Sequence, residues 1–254
     1  MTSVRLDLAS FGQAKDGYRS HEWEDSAAHS FRSGRFAVAD GATTAFRARA
    51  WSHILTAGWL SDPFAIDDDD EWVEWLARRA AIWDADLDGR EDDAPFYVVA
   101  AANRGSFATL LGVELGVDDG ELCWRALAVG DACLFHVREG ALLQSFPVTD
   151  AAEFGSHPAL VHSGTTTGPG AVRGVERARG SLIEGDRVLL ATDALAEWAL
   201  LAGSTDPGVW ERLGTIDEEG FGRLIAELRA GDALRNDDVT LLRCGVSISS
   251  AVRR

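Results

Sequence analysis

Residues 36–44, FAVADGATT, decide how this chain is read. Phe36, Ala37, Val38 and Ala39 form an apolar run of strand length that delivers Asp40 and Gly41 to its end. A carboxylate fixed at a strand end is well placed to hold a metal ion, and the adjacent glycine lets another group approach the backbone closely. Alone, Asp-Gly is only a turn signal. Its weight comes from acidic residues elsewhere that stand in similar positions.

Upstream, residues 4–11 alternate through Val4, Leu6 and Leu8 and predict a first strand, with residues 35–40 as the second. Between them residues 17–27, GYRSHEWEDSA, read as a polar loop carrying Glu24 and Asp25. Downstream, Phe46, Ala50, Ile54, Ala57 and Gly58 recur at helical steps and predict a helix over 42–60. Trp72, Trp75, Leu76, Arg79 and Trp83 predict another. The acidic run 67–70 ahead of it complements a helix N-terminus, so capping explains it better than metal binding. Residues 87–93 read as a polar loop, and residues 96–102 fit strand or helix equally.

The texture then changes. Residues 107–115, 121–129, 132–138 and 141–146 are short apolar or alternating runs. GVDDG at 116–120, Gly130-Asp131 and Glu139-Gly140 separate them, which predicts an antiparallel meander with tight turns. Residues 149–179, rich in Gly, Thr and His, lack periodicity; a loop of that length is functional or mobile. A strand over 187–192 ends in Asp193, helices follow over 194–202 and around Phe221, Leu224, Ile225 and Leu228, and a closing strand over 239–246 is preceded by Asn236-Asp237-Asp238. Helices set between blocks of antiparallel strands predict an α+β layered sandwich, in one domain over 1–254.

Composition limits the function. A formal charge of −17 argues against nucleic acid and anionic membranes as partners. It leaves a phosphorylated substrate open if metal cations supply local positive charge. Cys123, Cys133 and Cys244 are odd in number, lack CxxC spacing, and read as buried hydrophobes of a reducing compartment. The first residues lack a signal-peptide core, and no apolar run approaches the ~18 residues of a membrane helix. The expectation is a soluble cytoplasmic protein.

Asp40 and Asp193 end apolar strands, Asp237 precedes one, and Asp131 sits in a turn between two. If these ends converge, the like charges repel unless cations neutralise them. All-oxygen ligand sets favour Mg²⁺ or Mn²⁺, often in pairs ~3.5–4 Å apart with a bridging water. Competing signals are weak: Ser106 lacks the second glycine of a nucleophile elbow, and GTTTGPG has no P-loop lysine.

Five segments in order, EWEDSA (22–27), VADGATT (38–44), AVGDACLFHVREGAL (128–142), GDRVLLATDAL (185–195) and NDDVTLL (236–242), resemble the PPM-type (type 2C) metal-dependent serine/threonine protein phosphatases over nearly the whole chain. The resemblance implies a four-layer α-β-β-α sandwich with a two-metal site at one end. It implies that Asp40 bridges both ions, with the Gly41 carbonyl on one and Asp193 and Asp237 on the other. Glu24 would hold a metal-bound water, Asp131 a third-metal position, and Arg19 the substrate phosphate by bidentate hydrogen bonds. The implied reaction is hydrolysis of phosphoserine or phosphothreonine in a protein substrate by direct attack of the bridging water, in a monomer using Mg²⁺ or Mn²⁺.

The chain departs from that family at several points. Ala42, Thr43 and Thr44 replace a glycine-containing segment, so no histidine at 42 can protonate the leaving oxygen; water or another residue such as His21 would do so. Arg19 lies one residue further from Glu24 than in the family, Ala194 replaces a glycine, and Asp238 replaces an asparagine. The altered segment after Asp40 motivates an alternative, a catalytically weak member kept as a binding or sensing module.

Overall fold

β3 (Arg35–Ala39) is buried on both faces, and its side chains divide between two cores. Phe36 and Val38 point into one apolar layer, Ala37 and Ala39 into another. β11 (Arg187–Ala191) does the same, with Val188 and Leu190 in the layer shared with Phe36, and Leu189 and Ala191 in a third. Successive strand side chains alternate between faces, so an apolar run without polar gaps belongs in the middle of a sheet covered on both sides. The computed structural model, which describes residues 2–43, 45–87, 96–155, 157–164 and 170–250, has that form.

One five-stranded antiparallel sheet has the order β1 (Thr2–Gln13), β12 (Val239–Ser250), β11, β7 (Cys133–Arg138), β8 (Ala141–Phe146). The other has the order β10 (Val175–Ser181), β6 (Glu121–Val129), β5 (Leu110–Asp118), β3, β2 (Ser26–Ser30). They face each other across the layer of Phe36, Leu111, Trp124, Leu190 and Leu242. α1 (Ala48–Ser61) and α2 (Asp69–Leu87) cover the second sheet. α4 (Asp193–Gly203), α5 (Gly208–Thr215) and α6 (Glu218–Ala230) cover the first. The result is the expected α+β four-layer sandwich.

The tryptophans act as core, as their helical spacing implied. Trp51, Trp59 and Trp72 are fully buried, and their indole N–H groups donate to the carbonyls of Val161 (2.9 Å), Val113 (3.1 Å) and Ala171 (2.9 Å). Each ring therefore buries a large apolar face without stranding its polar atom. Asp68 caps α2, its Oδ1 accepting from the N–H groups of Asp70 (2.8 Å) and Glu71 (3.1 Å).

Several expectations need correction. The helix after Asp40 starts at Ala48, not 42, because Gly41 bridges to Ala108 and the Ala42 N–H donates to the Phe107 carbonyl, tying this segment to β4 (Phe107–Ala108). Residues 96–102 are a helix, α3 (Phe96–Ala102). The meander is split: β5 and β6 form a hairpin, as do β7 and β8, but Gly130-Asp131 carries the chain from one sheet to the other. The polar loop at 17–27 ends in β2, and the irregular stretch 149–179 contains β9 (Val161–His162), which pairs with β4, and most of β10. β2 and β10 are edge strands, whose polar residues hide the strand pattern. α5 was not foreseen, and Cys123 is only half-buried. Thr44, most of the loop at 87–93 and the centre of SGTTTGPG lie outside the described residues. Among the described residues no helix is long and apolar enough to cross a membrane.

Candidate active site

Strand register builds the site. β2 and β3 pair with Ser26 opposite Ala39, so Asp25, just before one strand, meets Asp40, just after the other. In the opposite sheet β11 and β12 pair with Ala191 opposite Leu241, which sets Thr192 beside Thr240. The Thr240 N–H donates to Thr192 Oγ1 (2.9 Å), and both threonine hydroxyls donate to Asp25 Oδ2, at 2.9 Å from Thr192 and 2.7 Å from Thr240. Asp25, 3% exposed, thus ties the two sheets together at one end of the sandwich.

Asp40 is fixed through its backbone: its N–H donates to Thr109 Oγ1 (3.0 Å) and its carbonyl accepts from the Thr109 N–H (2.8 Å). Gly41 is required by space. A Cβ there would lie 2.9 Å from the carbonyl carbon and Cβ of Ala48 and from the Glu24 carbonyl oxygen. The Asp25 and Asp40 carboxyls are near neighbours, and after burial the Asp25 charge helps to raise the Asp40 carboxyl.

Asp193 opens α4 directly after β11, Asp237 lies two residues before β12, and Asp131 lies in the sheet-to-sheet crossing. Their charges reach one another. Burial pushes the Asp25 carboxyl up to about 7 despite its threonine donors. Asp40 is held well above the usual carboxylate range by burial and then by Asp25, Asp193 and Asp237. Asp131 rises to about 6 through burial and the Asp193 charge. Asp193 is raised by burial and by Asp237, against the pull of Arg235. Asp40, Asp193 and Asp237 therefore lie within reach of one another's charge, and Asp131 within reach of that of Asp193.

Two cations of the chain sit on this acidic end. The Arg235 guanidinium donates to Asp193 Oδ2, and its other nitrogens lie 3.6 Å from Glu197 Oε2 and 3.8 Å from Asp237 Oδ2. Lys15, 7% exposed, donates from Nζ to Glu24 Oε2 (3.2 Å) and Thr43 Oγ1 (3.3 Å). Glu24 is thus turned to Lys15, while Asp238 accepts the backbone N–H groups of Lys15 (2.9 Å, Oδ1) and Glu24 (2.7 Å, Oδ2). Arg19 is exposed, beside the 3₁₀ turn Ser20–Glu22, and its side chain makes no ion pair among the described residues.

Sequence reasoning noted Asp25 but left it off the metal-site residues, and missed Lys15 and Arg235. Asp25 was legible in EWEDSA once β2 is known to be a strand. Nothing in the local sequence marks the two cations.

A divalent cation fits the chemistry of this end. The donors are all oxygen, Asp25 Oδ1 and Asp131 Oδ1 are buried with no hydrogen-bond donor among the described residues, and burial and crowding raise the carboxyls above their usual range. As arranged here, no three such side chains among the described residues stand at ligand spacing around one point. Asp40 is engaged with Asp25, and Asp193 with Arg235. Beside Asp25 a groove of about 810 Å³ opens between β1, α1 and the Trp23–Asp25 segment, with Arg47, Arg49 and His53 on its wall.

The sequence matches no family model and no curated protein. Its structure is similar to the catalytic domain of the serine/threonine protein phosphatase PstP in complex with two manganese ions, with TM-score 0.61 and 19% identity over 96% of this chain and 100% of that one. It is similar to PppA, a regulatory component of the type VI secretion system of Pseudomonas aeruginosa, with TM-score 0.58 and 17% identity over 97% and 100% of the two chains. It is also similar to the PPM Ser-Thr phosphatase MsPP of Mycobacterium smegmatis in complex with cacodylate, with TM-score 0.54 and 19% identity over 95% and 97%. The fold of the PPM-type phosphatases is thereby shared along nearly the whole chain.

Proposed function

We propose that this protein is a metal-dependent phosphatase that hydrolyses phosphoserine or phosphothreonine in a protein substrate. The observation that carries this reading is the convergence of Asp25, Asp40, Asp131, Asp193 and Asp237 at one end of the sandwich, with buried oxygens that have no donor among the described residues. Such an end repels a phosphate dianion by itself, so phosphoryl chemistry there requires cations. Asp40, the Gly41 carbonyl, Asp193 and Asp237 would hold two Mg²⁺ or Mn²⁺ ions, with Asp131 at the edge for a third. Bound there, divalent ions supply an activated water and neutralise charge on the phosphoryl oxygens.

The chain's own groups do the positioning. Asp25, held by Thr192 and Thr240, sets the position of an acid beside Asp40. Lys15 fixes Glu24 at the rim, where Glu24 orders water. Arg19 presents its guanidinium from an exposed turn and grips the phosphate oxygens bidentately. No histidine stands at 42, so the leaving oxygen takes its proton from water or from exposed His21. The groove beside Asp25 receives the peptide flanking the phosphorylated residue. In this reading residues 1–254 form one catalytic domain of a cytoplasmic signalling protein.

The test is hydrolysis of a phosphothreonine peptide with Mn²⁺ by wild type, Asp40→Asn and Asp193→Ala. Metal-dependent turnover that falls by about a hundredfold or more in both variants is expected. One observation favours the alternative of a binding or sensing module: Lys15 and Arg235 already neutralise Glu24 and Asp193. Folded wild type that binds Mn²⁺ yet hydrolyses no phosphopeptide would decide for that module.

A further inference from the structure

Arg235 lies in the segment between α6 and β12, beside the first turn of α4. Its guanidinium donates to Asp193, is 3.6 Å from Glu197, and is 3.8 Å from Asp237. Two of its three carboxylate partners are the residues assigned above to one metal ion, and they come from different strand ends. Arginine carries its charge at every physiological pH, so it cannot vacate the site by losing a proton. It must move.

The surroundings allow that movement. Arg235 is 44% exposed on its side chain, whereas Asp193 is 16% exposed, so the cation approaches from solvent and the acid from the protein. Glu197 stands one helical turn beyond Asp193 on α4, near the surface, and offers the guanidinium a carboxylate outside the metal site. A short side-chain rotation would exchange Asp193 for Glu197.

We propose that Arg235 is a tethered counter-ion of the metal site. It occupies Asp193 and Asp237 when no divalent cation is bound, keeps the acidic end from repelling itself, and yields to the metal by swinging toward Glu197. This inference rests on the metal-dependent reading above and adds a regulatory consequence. Apparent metal affinity equals the intrinsic affinity multiplied by the fraction of molecules in which Arg235 has left Asp193. If the closed arrangement holds nine molecules in ten, affinity is lowered about tenfold. The protein then loads metal only where the free ion is abundant, and a partner that draws Arg235 away would raise metal affinity without touching a ligand.

The test is direct titration of the full-length, metal-stripped protein with Mn²⁺, reading free ion by its electron paramagnetic resonance signal and reading the fold by circular dichroism. The chains compared are wild type, Arg235→Gln, Arg235→Lys, and Arg243→Gln, a control whose partner is Asp7. Arg235→Gln should bind Mn²⁺ about tenfold more tightly than wild type. Arg235→Lys, which keeps the charge but not the forked donor geometry, should fall between them, and this shift must appear even if the glutamine variant fails to fold. Arg243→Gln should match wild type. A wild type that binds Mn²⁺ while the Arg235 variants bind equally or more weakly overturns the counter-ion and leaves the metal site standing, since a purely structural arginine would weaken binding on removal. Absence of Mn²⁺ binding in every chain overturns the inference together with the reading beneath it.

Discussion

Asp238→Asn is a one-atom change whose cost the structure specifies. The 3%-exposed Asp238 carboxylate accepts the Lys15 N–H on Oδ1 and the Glu24 N–H on Oδ2. It thereby joins the end of β12 to the segment leaving β1 and to the segment entering β2. An asparagine has one acceptor oxygen, so its NH₂ must face one of these N–H donors. A hydrogen bond to a charged group contributes about 1.5–3 kcal/mol, and a buried donor left unpaired carries its own desolvation cost. Asp238 also adds a little to the raised pKa of Asp25, so losing its charge relieves some repulsion. That offset is small, because burial and not the Asp238 charge dominates the Asp25 shift. The net loss should be about 2 kcal/mol, which lowers the unfolding midpoint of a domain this size by roughly 4–8 °C. Asp238→Ala, which loses both acceptors, should fall further. Thermal unfolding of the metal-free proteins by circular dichroism measures both. A midpoint within about 1 °C of wild type for Asp238→Asn would refute the two-donor clamp, and an alanine variant more stable than the asparagine variant would show that the repulsion had been underweighted.

Two further outcomes follow from the same end of the sandwich. Gly41→Ala would place a Cβ 2.9 Å from backbone atoms of both Ala48 and Glu24, so α1 must shift, at a cost of about 1–3 kcal/mol readable as a lower urea midpoint; an unchanged midpoint would mean that the helix yields freely. In the metal-free protein, Asp131 at about 6 and Asp25 at about 7 bind protons that the unfolded chain releases near pH 4. Their stabilisation is complete below pH 4 and lost as pH rises through 6 and 7, so the urea midpoint should fall between pH 4.5 and 7.5 and recover on adding Mn²⁺ at the upper pH. A midpoint that rises over that interval would contradict the burial of these acids.

Local sequence carried the fold a long way. Residues 36–39 and 188–191 lack polar gaps because both faces of these central strands are covered, and that property is visible in the chain without any partner. Asp40, Asp193 and Asp237 were legible for the same reason: a carboxylate adjoining an apolar strand stands out wherever the strand ends up. The edge strands β2 and β10 gave no such signal. β2 and β10 pair on one side only and tolerate polar residues, so SAAHS and VERARGS lack the alternation that marks a half-buried strand.

The crossing at Gly130-Asp131 has the composition of a hairpin turn, and only the packing of two sheets shows that it bridges them. What tertiary structure alone decided is which charges meet. Lys15 and Asp238 are 223 positions apart, and Arg235 reaches Asp193 across 42. Strand register brings such residues together, and register is set by burial of the apolar faces rather than by the charged residues themselves. The sequence by itself thus determined that acids stand at the strand ends, because that depends on local pattern. The partners each acid keeps, Asp25 for Asp40, Lys15 for Glu24 and Arg235 for Asp193, depend on how two sheets are stacked, which no local stretch encodes.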